Sequence, residues 1–345
     1  FTGGGFVSSV YGFSKGFETY EEGVGGVFKQ DSVERVYGAV SEWLDYNKDK
    51  NFFLFLHTYQ PHTPYACPAP YKGMFLKENA KWRHLDLFSA LGGRAGIFKS
   101  LPEEARQNII SLYDSEIRYT DEKLVGPLVE KLKEMGLYDQ TMIIFTSDHG
   151  EEFYDHKGWG HGHSIYDESL KVPLLVKFPE SKFKGKRIEN IVSSVDIMPT
   201  ILEEMNIDFS GLEIDGKSLF PVLKGREKGD RAFFADIGSN ILNSHIPQKT
   251  AMNIGKSKLI FNKRFGEKDL EYFLYPPPSL NPVELYDLQE DPLETMDKSN
   301  KRVELANIII RQINKIYKMA KKRKIEKAII DEKIKEQLRA LGYIE

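Results

Sequence analysis

Histidine is concentrated in two short stretches of this sequence. Six of the eight histidines lie there, namely His57, His62, His149, His156, His161 and His163. The imidazole titrates near neutral pH, ligates metals and transfers protons. The clustering therefore indicates a site for metal, anion or proton-transfer chemistry.

An aspartate stands directly before one of these histidines. Asp148 and His149 follow the apolar run 141–146 and precede Gly150, so they lie where a predicted strand gives way to a loop. A carboxylate beside an imidazole can ligate a divalent cation: oxygen donors suit Ca²⁺, Mg²⁺ or Mn²⁺, and imidazole extends the choice to zinc. The alternative is that Asp148 caps the following turn and His149 is only hydrogen-bonded. The neighbouring histidines favour the metal site.

Two further histidines have settings that suit an anion. His62 lies in a proline-rich loop just after the apolar run 52–56, and His161 is flanked by two glycines. Glycine lets the backbone approach a ligand closely, and an imidazolium can hold an anionic oxygen or donate a proton. An ordinary surface position is the alternative for His62. We interpret His57, at a strand end, as a core histidine.

Strands and helices alternate over the first part of the chain. Apolar runs predict buried strands at 52–56, 141–146 and 172–178. Helical spacing and end signals predict helices over 31–46, 102–136 and 196–205, with a kink or break at Gly126-Pro127. This alternation predicts an α/β fold with a mainly parallel sheet covered by helices. Sites in such sheets lie beyond the carboxyl ends of strands.

The pattern changes after residue 210. Short segments at 232–236, 250–254, 259–262 and 284–288 predict a small antiparallel subdomain, and the residues after 301 predict a helical tail. We therefore expect an α/β domain at 1–210, an antiparallel subdomain at 211–300 and a basic tail at 301–345. The tail holds 13 Lys/Arg and 6 Asp/Glu, which we interpret as the solvated face of a docked helix.

Composition excludes several classes of protein. A chain of 345 residues with 41% hydrophobic and 29% charged residues is typical of a packed globular protein. A net charge of −3 offers no global positive field, so no nucleic-acid partner is expected. A single cysteine, Cys67, excludes an internal disulfide framework. No apolar run approaches the length of about 18 residues that a membrane span needs, and the sequence leaves the compartment undetermined.

Several separated segments carry a family resemblance. They are 53–65, 113–121, 145–152 with Ser-Asp-His-Gly-Glu-Glu, 160–168, 172–175, 195–202, 284–292 and 338–343. In order and spacing they resemble the sulfatase family of the alkaline-phosphatase-like superfamily. The resemblance implies an alkaline-phosphatase-like α/β fold and metal-dependent hydrolysis of a sulfate monoester.

The resemblance also implies roles for individual residues. It makes Asp148 and His149 the downstream metal ligands, and His62 the residue that contacts the sulfate and helps to expel the leaving alcohol. His161 is similar to a cationic residue, lysine in many relatives, that binds sulfate oxygens, while His163 is a weaker substrate-binding assignment. The implied cofactor is a divalent cation, Ca²⁺ before Mg²⁺ or Mn²⁺. The implied partner is a sulfated small molecule or carbohydrate.

The chain departs from the family pattern before His57. Sulfatases carry paired metal-binding aspartates and a Cys-x-Pro-Ser-Arg motif whose cysteine becomes the formylglycine nucleophile, and Cys67-Pro-Ala-Pro does not match it. We therefore expect these groups in a segment before Phe1, and expect 1–210 to be a partial catalytic domain that is inactive alone. The alternatives are a phosphodiesterase or phosphoglycerol transferase of the same superfamily, and a non-catalytic split or decayed fragment.

Overall fold

The computed structural model describes residues 1–24, 31–78, 100–237, 249–262 and 281–320, together with Glu332. The chain divides into two compact units. The first contains the described residues of Phe1–Met142 and Phe153–Gly160, and the second contains those of Ile143–Glu152 and His161–Lys324. The domain boundaries expected at residues 210 and 300 stay predictions.

Helices dominate the first unit. Helix α1 spans Ser32–Asn47, α2 spans Glu103–Thr120, and α3 spans Gly126–Glu134. A π-helical stretch, Asp121–Val125, joins α2 to α3. The interruption predicted at Gly126-Pro127 is confirmed, because proline has no N–H to donate and the wider turn before it absorbs the missing hydrogen bond.

The core of the first unit forms where apolar residues recur on one helix face. Helix α1 buries Val33, Val36, Val40 and Leu44, a spacing that keeps all four side chains on one side. A second cluster joins two residues of α2 to aromatic residues from outside it, namely Ile109, Leu112, Tyr65 and Trp159. Burying each such aliphatic side chain stabilises the fold by about 1.5–3 kcal/mol.

The segment 52–56 differs from its prediction. It is extended but is not part of a β-strand in the described residues. Its backbone is bonded to the start of the chain: the Phe1 amino group donates to the Phe55 carbonyl at 2.9 Å, and His57 N–H donates to the Phe1 carbonyl at 3.0 Å. Phe53 is 61% and Phe55 41% exposed, so the prediction of a buried strand is wrong here. An apolar run shows that burial is favourable, not which neighbour provides it.

The strands of the described residues form three sheets. The two-stranded sheets are β1 (Ile143–Thr146) with β4 (Leu174–Lys177), and β2 (Glu152–Phe153) with β3 (Trp159–Gly160). The third sheet has the order β5 (Phe234–Ile237), β6 (Lys249–Ile254), β7 (Ser257–Asn262) and β8 (Val283–Asp287). The helices of the second unit are α4 (Asp167–Leu170), α5 (Ile197–Glu204), α6 (Phe220–Leu223) and α7 (Val303–Ala320).

Strands β1 and β4 lie where the sequence predicts them, but their pairing is antiparallel, with Ile143 opposite Lys177. Alternating strands and helices favour parallel pairing without requiring it of every pair, since large α/β sheets often include antiparallel strands. Phe145 and Leu175 face each other across the pair and are 44% and 60% exposed. The predicted burial is therefore wrong for these two side chains.

The third sheet is antiparallel throughout, as predicted for the C-terminal subdomain. Side chains alternate between its two faces. One face carries Met252, Leu259 and Leu285 and packs against α7. The other, here called the inner face, carries Ala251, Ile260 and Tyr286 and packs against Ile165 and Tyr166. The sheet thus separates the tail helix from residues 161–170, called the site segment below.

Polar contacts fix the site segment to the inner face. Lys258, fully buried, lies 2.7 Å from Asp167 and 2.8 Å from Glu294. The Tyr166 hydroxyl donates to Glu284 at 2.7 Å. Because a buried charge is costly unless it is paired, these contacts specify one position for the segment.

Helix α7 docks through one apolar stripe, Ala306, Ile309 and Ile313. Its basic residues Arg311 and Lys315 are exposed, as interpreted for a docked helix with a solvated face. Residues 321–345, Glu332 apart, and the Pro276–278 run lie outside the described residues. Within the described part of the chain, no helix combines the length and apolarity needed to cross a membrane.

Candidate active site

The turn after β1 places the first candidate residues. Ser147 Oγ donates to the His149 carbonyl at 2.7 Å, and His149 N–H donates to Asp148 Oδ1 at 3.0 Å. Gly150 N–H donates to the Ser169 carbonyl at 2.9 Å. A β-carbon on Gly150 would lie 2.0 Å from the Glu168 carbonyl oxygen, so only glycine fits this close approach. The turn is thereby held against α4.

Asp148 and His149 form the pair that the sequence predicted as metal ligands. The Asp148 side chain is 71% exposed, and its Oδ2 lies 3.6 Å from His149 Nε2. His149 Nδ1 lies 2.9 Å from the Gly150 carbonyl oxygen, so we assign the ring hydrogen of neutral His149 to Nδ1. The Nε2 lone pair then faces the carboxylate. Two facing acceptors repel unless a cation or a proton lies between them.

This arrangement fits a divalent cation. A carboxylate oxygen and an imidazole nitrogen with a free lone pair are donors for such ions. The capping alternative for Asp148 accounts only for Oδ1 and leaves Oδ2 available. Within the described residues, no three His, Cys, Asp or Glu side chains come together to hold a metal. Asp148 and His149 offer one oxygen and one nitrogen donor, and their role as metal ligands stays a prediction.

His161 lies directly beside this pair. Its ring stacks on that of His149, with centroids 4.0 Å apart and planes at 28°. Its Nδ1 lies 2.9 Å from Glu151 Oε1, and the His161 and Glu151 side chains are only 11% and 5% exposed. Burial lowers the pKa of His161, but the charges of Glu151 and Asp148 outweigh burial, so this pKa is raised above its ordinary value. A histidine that keeps its proton to higher pH suits an anionic ligand.

The His163 side chain is more deeply buried than that of His161, at 1% against 11% exposure. Its Nε2 lies 2.8 Å from Glu152 Oε2, and Ser164 Oγ donates to the same oxygen at 3.2 Å. The Ser164 and Ser169 hydroxyls are also within 3.2 Å of each other. This network joins β2 to the site segment. The substrate-binding assignment of His163 stays a prediction.

His62 belongs to the first unit. Its Nδ1 lies 2.6 Å from the Thr63 carbonyl oxygen, and the edge of its ring meets Tyr59 with centroids 6.1 Å apart. His57 Nδ1 accepts from Gly3 N–H at 3.4 Å, a structural contact of the kind expected for it. The predicted proton-donating role of His62 stays a prediction.

Sequence reasoning assigned no role to Glu151 and Glu152. Each holds a histidine of the site segment: Glu151 contacts His161, and Glu152 contacts His163. The available signal was their position directly after Asp148-His149-Gly150. No local pattern pairs a carboxylate with a histidine ten or eleven residues later, because the intervening β2–β3 hairpin brings them together.

Solved structures of other proteins show which fold this chain has. The phosphonate monoester hydrolase of Agrobacterium radiobacter matches with a TM-score of 0.58 and 21% identity, over 86% of this chain and 62% of that chain. A structure solved with its substrate D-glucosamine-2-N,6-O-disulfate matches with a TM-score of 0.60 and 18% identity, over 83% and 70%. The chain has the alkaline-phosphatase-like α/β fold that was expected.

Family models narrow the class. The sulfatase model matches residues 1–207, and the model of the N-sulphoglucosamine sulphohydrolase C-terminal region matches residues 155–323. The chain belongs to the sulfatase family. The resemblance seen in the sequence is therefore confirmed, and a divalent metal with a formylglycine nucleophile is general to this family.

Curated relatives agree with this assignment. The multifunctional alkaline phosphatase superfamily protein PehA of Trinickia caryophylli is 33% identical over 204 residues, 52% of this chain and 39% of the relative. Arylsulfatase K of Rattus norvegicus is 26% identical over 301 residues, 81% and 51%. Human N-acetylglucosamine-6-sulfatase is 27% identical over 207 residues, 57% and 37%. The chain thus spans about half the length of these relatives, or less.

Proposed function

We propose that the protein containing this chain hydrolyses a sulfate monoester. The observation that carries the proposal is the juxtaposition, in a sulfatase-family chain, of the Asp148–His149 pair with His161, which stacks on His149 and whose pKa is raised by Glu151 and Asp148. This places a cation-binding pair beside a side chain that suits an anionic oxygen.

Asp148 Oδ2 and His149 Nε2 would hold a divalent cation, for which we propose Ca²⁺ before Mg²⁺ or Mn²⁺ because the family pattern and the carboxylate favour a hard ion. When bound, such an ion polarises a sulfate oxygen and favours an ionised nucleophile. The formylglycine nucleophile and its location before Phe1 stay predictions.

The chain's own side chains have separate tasks in this proposal. His161, held by Glu151, binds sulfate oxygens and offsets the charge that develops on them. His62 donates a proton to the departing alkoxide. Glu152 and His163 keep the site segment in place behind His161.

A sulfated carbohydrate is the substrate class that we propose. One relative is named as an N-acetylglucosamine-6-sulfatase, and one structural neighbour was solved with a disulfated glucosamine as its substrate. An aryl sulfate is the second candidate, since other relatives are named as arylsulfatases.

The test uses the longest gene product that contains this chain, next to the chain itself. Turnover of glucosamine 6-sulfate and 4-nitrophenyl sulfate is compared with that of phenyl phosphonate and bis(4-nitrophenyl) phosphate. We expect sulfate ester hydrolysis by the longer product, its loss in Asp148→Ala, and none by the chain alone. Because PehA and a phosphonate monoester hydrolase are similar to this chain, faster turnover of the phosphorus esters would replace the proposal with phosphoryl transfer.

A further inference from the structure

Two buried lysines lie on the inner face of the third sheet, and their surroundings differ. Lys258, at one end, is paired with two carboxylates. Lys249, at the other end, is 3% exposed, and among the described residues no carboxylate lies within ion-pair distance of its ammonium. Glu284 and Glu152 are near enough to attract it, yet burial lowers the pKa of Lys249 to about 8.

An unpaired buried ammonium reduces the stability of the fold. A methionine at the same position would fill similar space without that cost, and even with the attraction of Glu284 and Glu152 the pKa of Lys249 stays below its ordinary value. Charges kept at such a cost are characteristic of functional sites.

A second polar atom on the same face, on the strand opposite Lys249, has no partner among the residues that the structure describes. Asn262 lies directly opposite Lys249 in the β6–β7 register, so both side chains are on the inner face. The Asn262 amide donates to the Asn281 carbonyl at 2.7 Å and to Glu284 at 2.6 Å, which fixes the orientation of the amide. Its Oδ1 is buried, and within the described ranges no hydrogen-bond donor reaches it.

The Lys249 ammonium and Asn262 Oδ1 would be stabilised by different kinds of ligand atom. Lys249 requires an anion, and Asn262 Oδ1 requires a donor such as a hydroxyl. A buried polar group that lacks its partner destabilises the protein until a ligand or an ordered water supplies one. A sulfated or carboxylated sugar carries an oxyanion and a hydroxyl close together.

The register places this pair next to the candidate active site. Ala251, two residues from Lys249 on the same face, packs against Ile165 and Tyr166 of the site segment. Glu152, which attracts Lys249, is also the carboxylate that contacts His163. Glu152 therefore links Lys249 to His163 of the site segment.

We propose that Lys249 and Asn262 form a subsite for an oxyanion with a neighbouring hydroxyl, as in an anionic sugar. This rests on the proposed function, in which the substrate is a sulfated carbohydrate. The subsite would favour ligands that carry a second sulfate or carboxylate group over those with a single anionic group.

The test measures binding by calorimetry at pH 7 with four probes: glucosamine-2-N,6-O-disulfate, glucuronic acid, N-acetylglucosamine and inorganic sulfate. The variants are Lys249→Met, Lys249→Arg and, as the control, Lys256→Met. Lys256 lies on the same hairpin, its side chain is 42% exposed, and its Nζ is 3.3 Å from Asp230 Oδ2. We expect Lys249→Met to weaken anionic-sugar binding at least about tenfold, Lys249→Arg to restore most of it, and the control to bind as the parent does.

Unfolding in urea without ligand provides the second measurement. Lys249→Met should be as stable as the parent or more stable, since it removes an unpaired charge. Marked destabilisation of Lys249→Met would show that Lys249 has a structural role instead. The subsite would be overturned if Lys249→Met bound the anionic sugars as tightly as the parent does, or if the parent bound none of them. If the parent bound inorganic sulfate as tightly as the anionic sugars, the ligand would be a free oxyanion and not a sugar. Lys249-dependent binding in a protein that hydrolyses no sulfate ester would refute the proposed function alone.

Discussion

The two carboxylate oxygens of Asp148 have different tasks. Oδ1 accepts the N–H of His149 and shapes the turn, whereas Oδ2 faces the ring nitrogen of His149 at 3.6 Å. A single residue thus positions its neighbour and, in the proposed metal site, would bind the same cation as that neighbour. The two tasks can be separated by comparing a substitution that keeps one side-chain oxygen, such as Asp148→Asn, with one that removes both oxygens, such as Asp148→Ala.

Asp148→Ala should abolish divalent-metal retention, while Asp148→Asn should weaken it by about 10- to 100-fold, because one oxygen donor survives and a charged contact worth about 1.5–3 kcal/mol is lost. Calcium titration and elemental analysis after gel filtration measure this. Asp155→Ala is the control, since this carboxylate lies 3.1 Å from Arg106. Full occupancy in Asp148→Ala would leave Asp148 as a capping residue.

The two anion-site histidines should differ in their response to the leaving group. If His62 protonates the leaving alcohol, His62→Ala slows alkyl sulfates much more than aryl sulfates, because a phenolate needs little protonation. His161→Ala should slow both by similar factors, and His161→Lys should partly restore both by returning the charge. The measurement is kcat/KM for both substrate classes in the longest active gene product. Equal losses for His62→Ala would remove its acid role.

At the residue scale, local spacing in the sequence pointed to candidate site residues, whose roles stay predictions. Asp148 and His149 could be recognised because they are adjacent, and His161 because it lies between glycines. Lys249, Asn262 and Glu284 could not, because their relations come from strand register. Register depends on the whole sheet and leaves no local pattern.

Two tyrosines at the element scale donate to the same carboxylate oxygen. Tyr166 of the site segment and Tyr286 of β8 bond to Glu284 Oε2 at 2.7 and 2.6 Å. The first bond crosses from the site segment to the sheet, and the second stays within the sheet. Because the two bonds share one acceptor atom, removing each hydroxyl in turn tests whether the bond from Tyr166 holds the site segment in place.

Tyr166→Phe and Tyr286→Phe should each destabilise the protein by about 1–3 kcal/mol, the effect of removing a donor from a buried carboxylate. Only Tyr166→Phe should also weaken inorganic sulfate binding, because it releases the segment that carries His161. Urea unfolding and calorimetry measure the two effects. Weaker sulfate binding in both variants would show that the sheet, and not the anchor, controls the site.

The elements were predicted better than their surroundings. Helix α1, the broken α2–α3 helix and the four strands of the third sheet lie close to their expected positions, because caps, glycines and apolar spacing are local signals. In contrast, Phe53 and Phe55 of the segment 52–56 are exposed where burial was predicted, and β1 pairs antiparallel where parallel pairing was predicted. Both depend on neighbours that a local apolar run does not identify.

The third sheet organises the second unit at the scale of the whole molecule. It holds α7 on one face and the site segment on the other. Its buried ion group, Lys258 with Asp167 and Glu294, joins β7, α4 and the loop before α7. Burial, only partly offset by Lys258, raises the pKa of Glu294 to about 7.

This pKa predicts a pH dependence of stability. Between its ordinary value of 4.5 and about 7, folded Glu294 keeps a proton that the unfolded chain has released. Stability should therefore fall as pH rises through this window and then level off. Glu294→Gln should flatten the dependence, whereas Glu290→Gln, at an exposed glutamate paired with Lys298, should not. Thermal unfolding from pH 4.5 to 8 measures this, and a fall of equal size in Glu294→Gln would assign it to other groups.

The close approach at Gly150 has a consequence for how the site opens. The Gly150 N–H donates to the Ser169 carbonyl, and the two backbone segments are too close for a side chain at position 150. We therefore expect the turn at 147–150 and α4 to separate in one step. They form one cooperative opening unit. In native-state hydrogen exchange, the amides of Gly150, Ser169 and Leu170 should share one opening free energy. The same opening would displace Asp148, His149 and His161 from their positions in the proposed site.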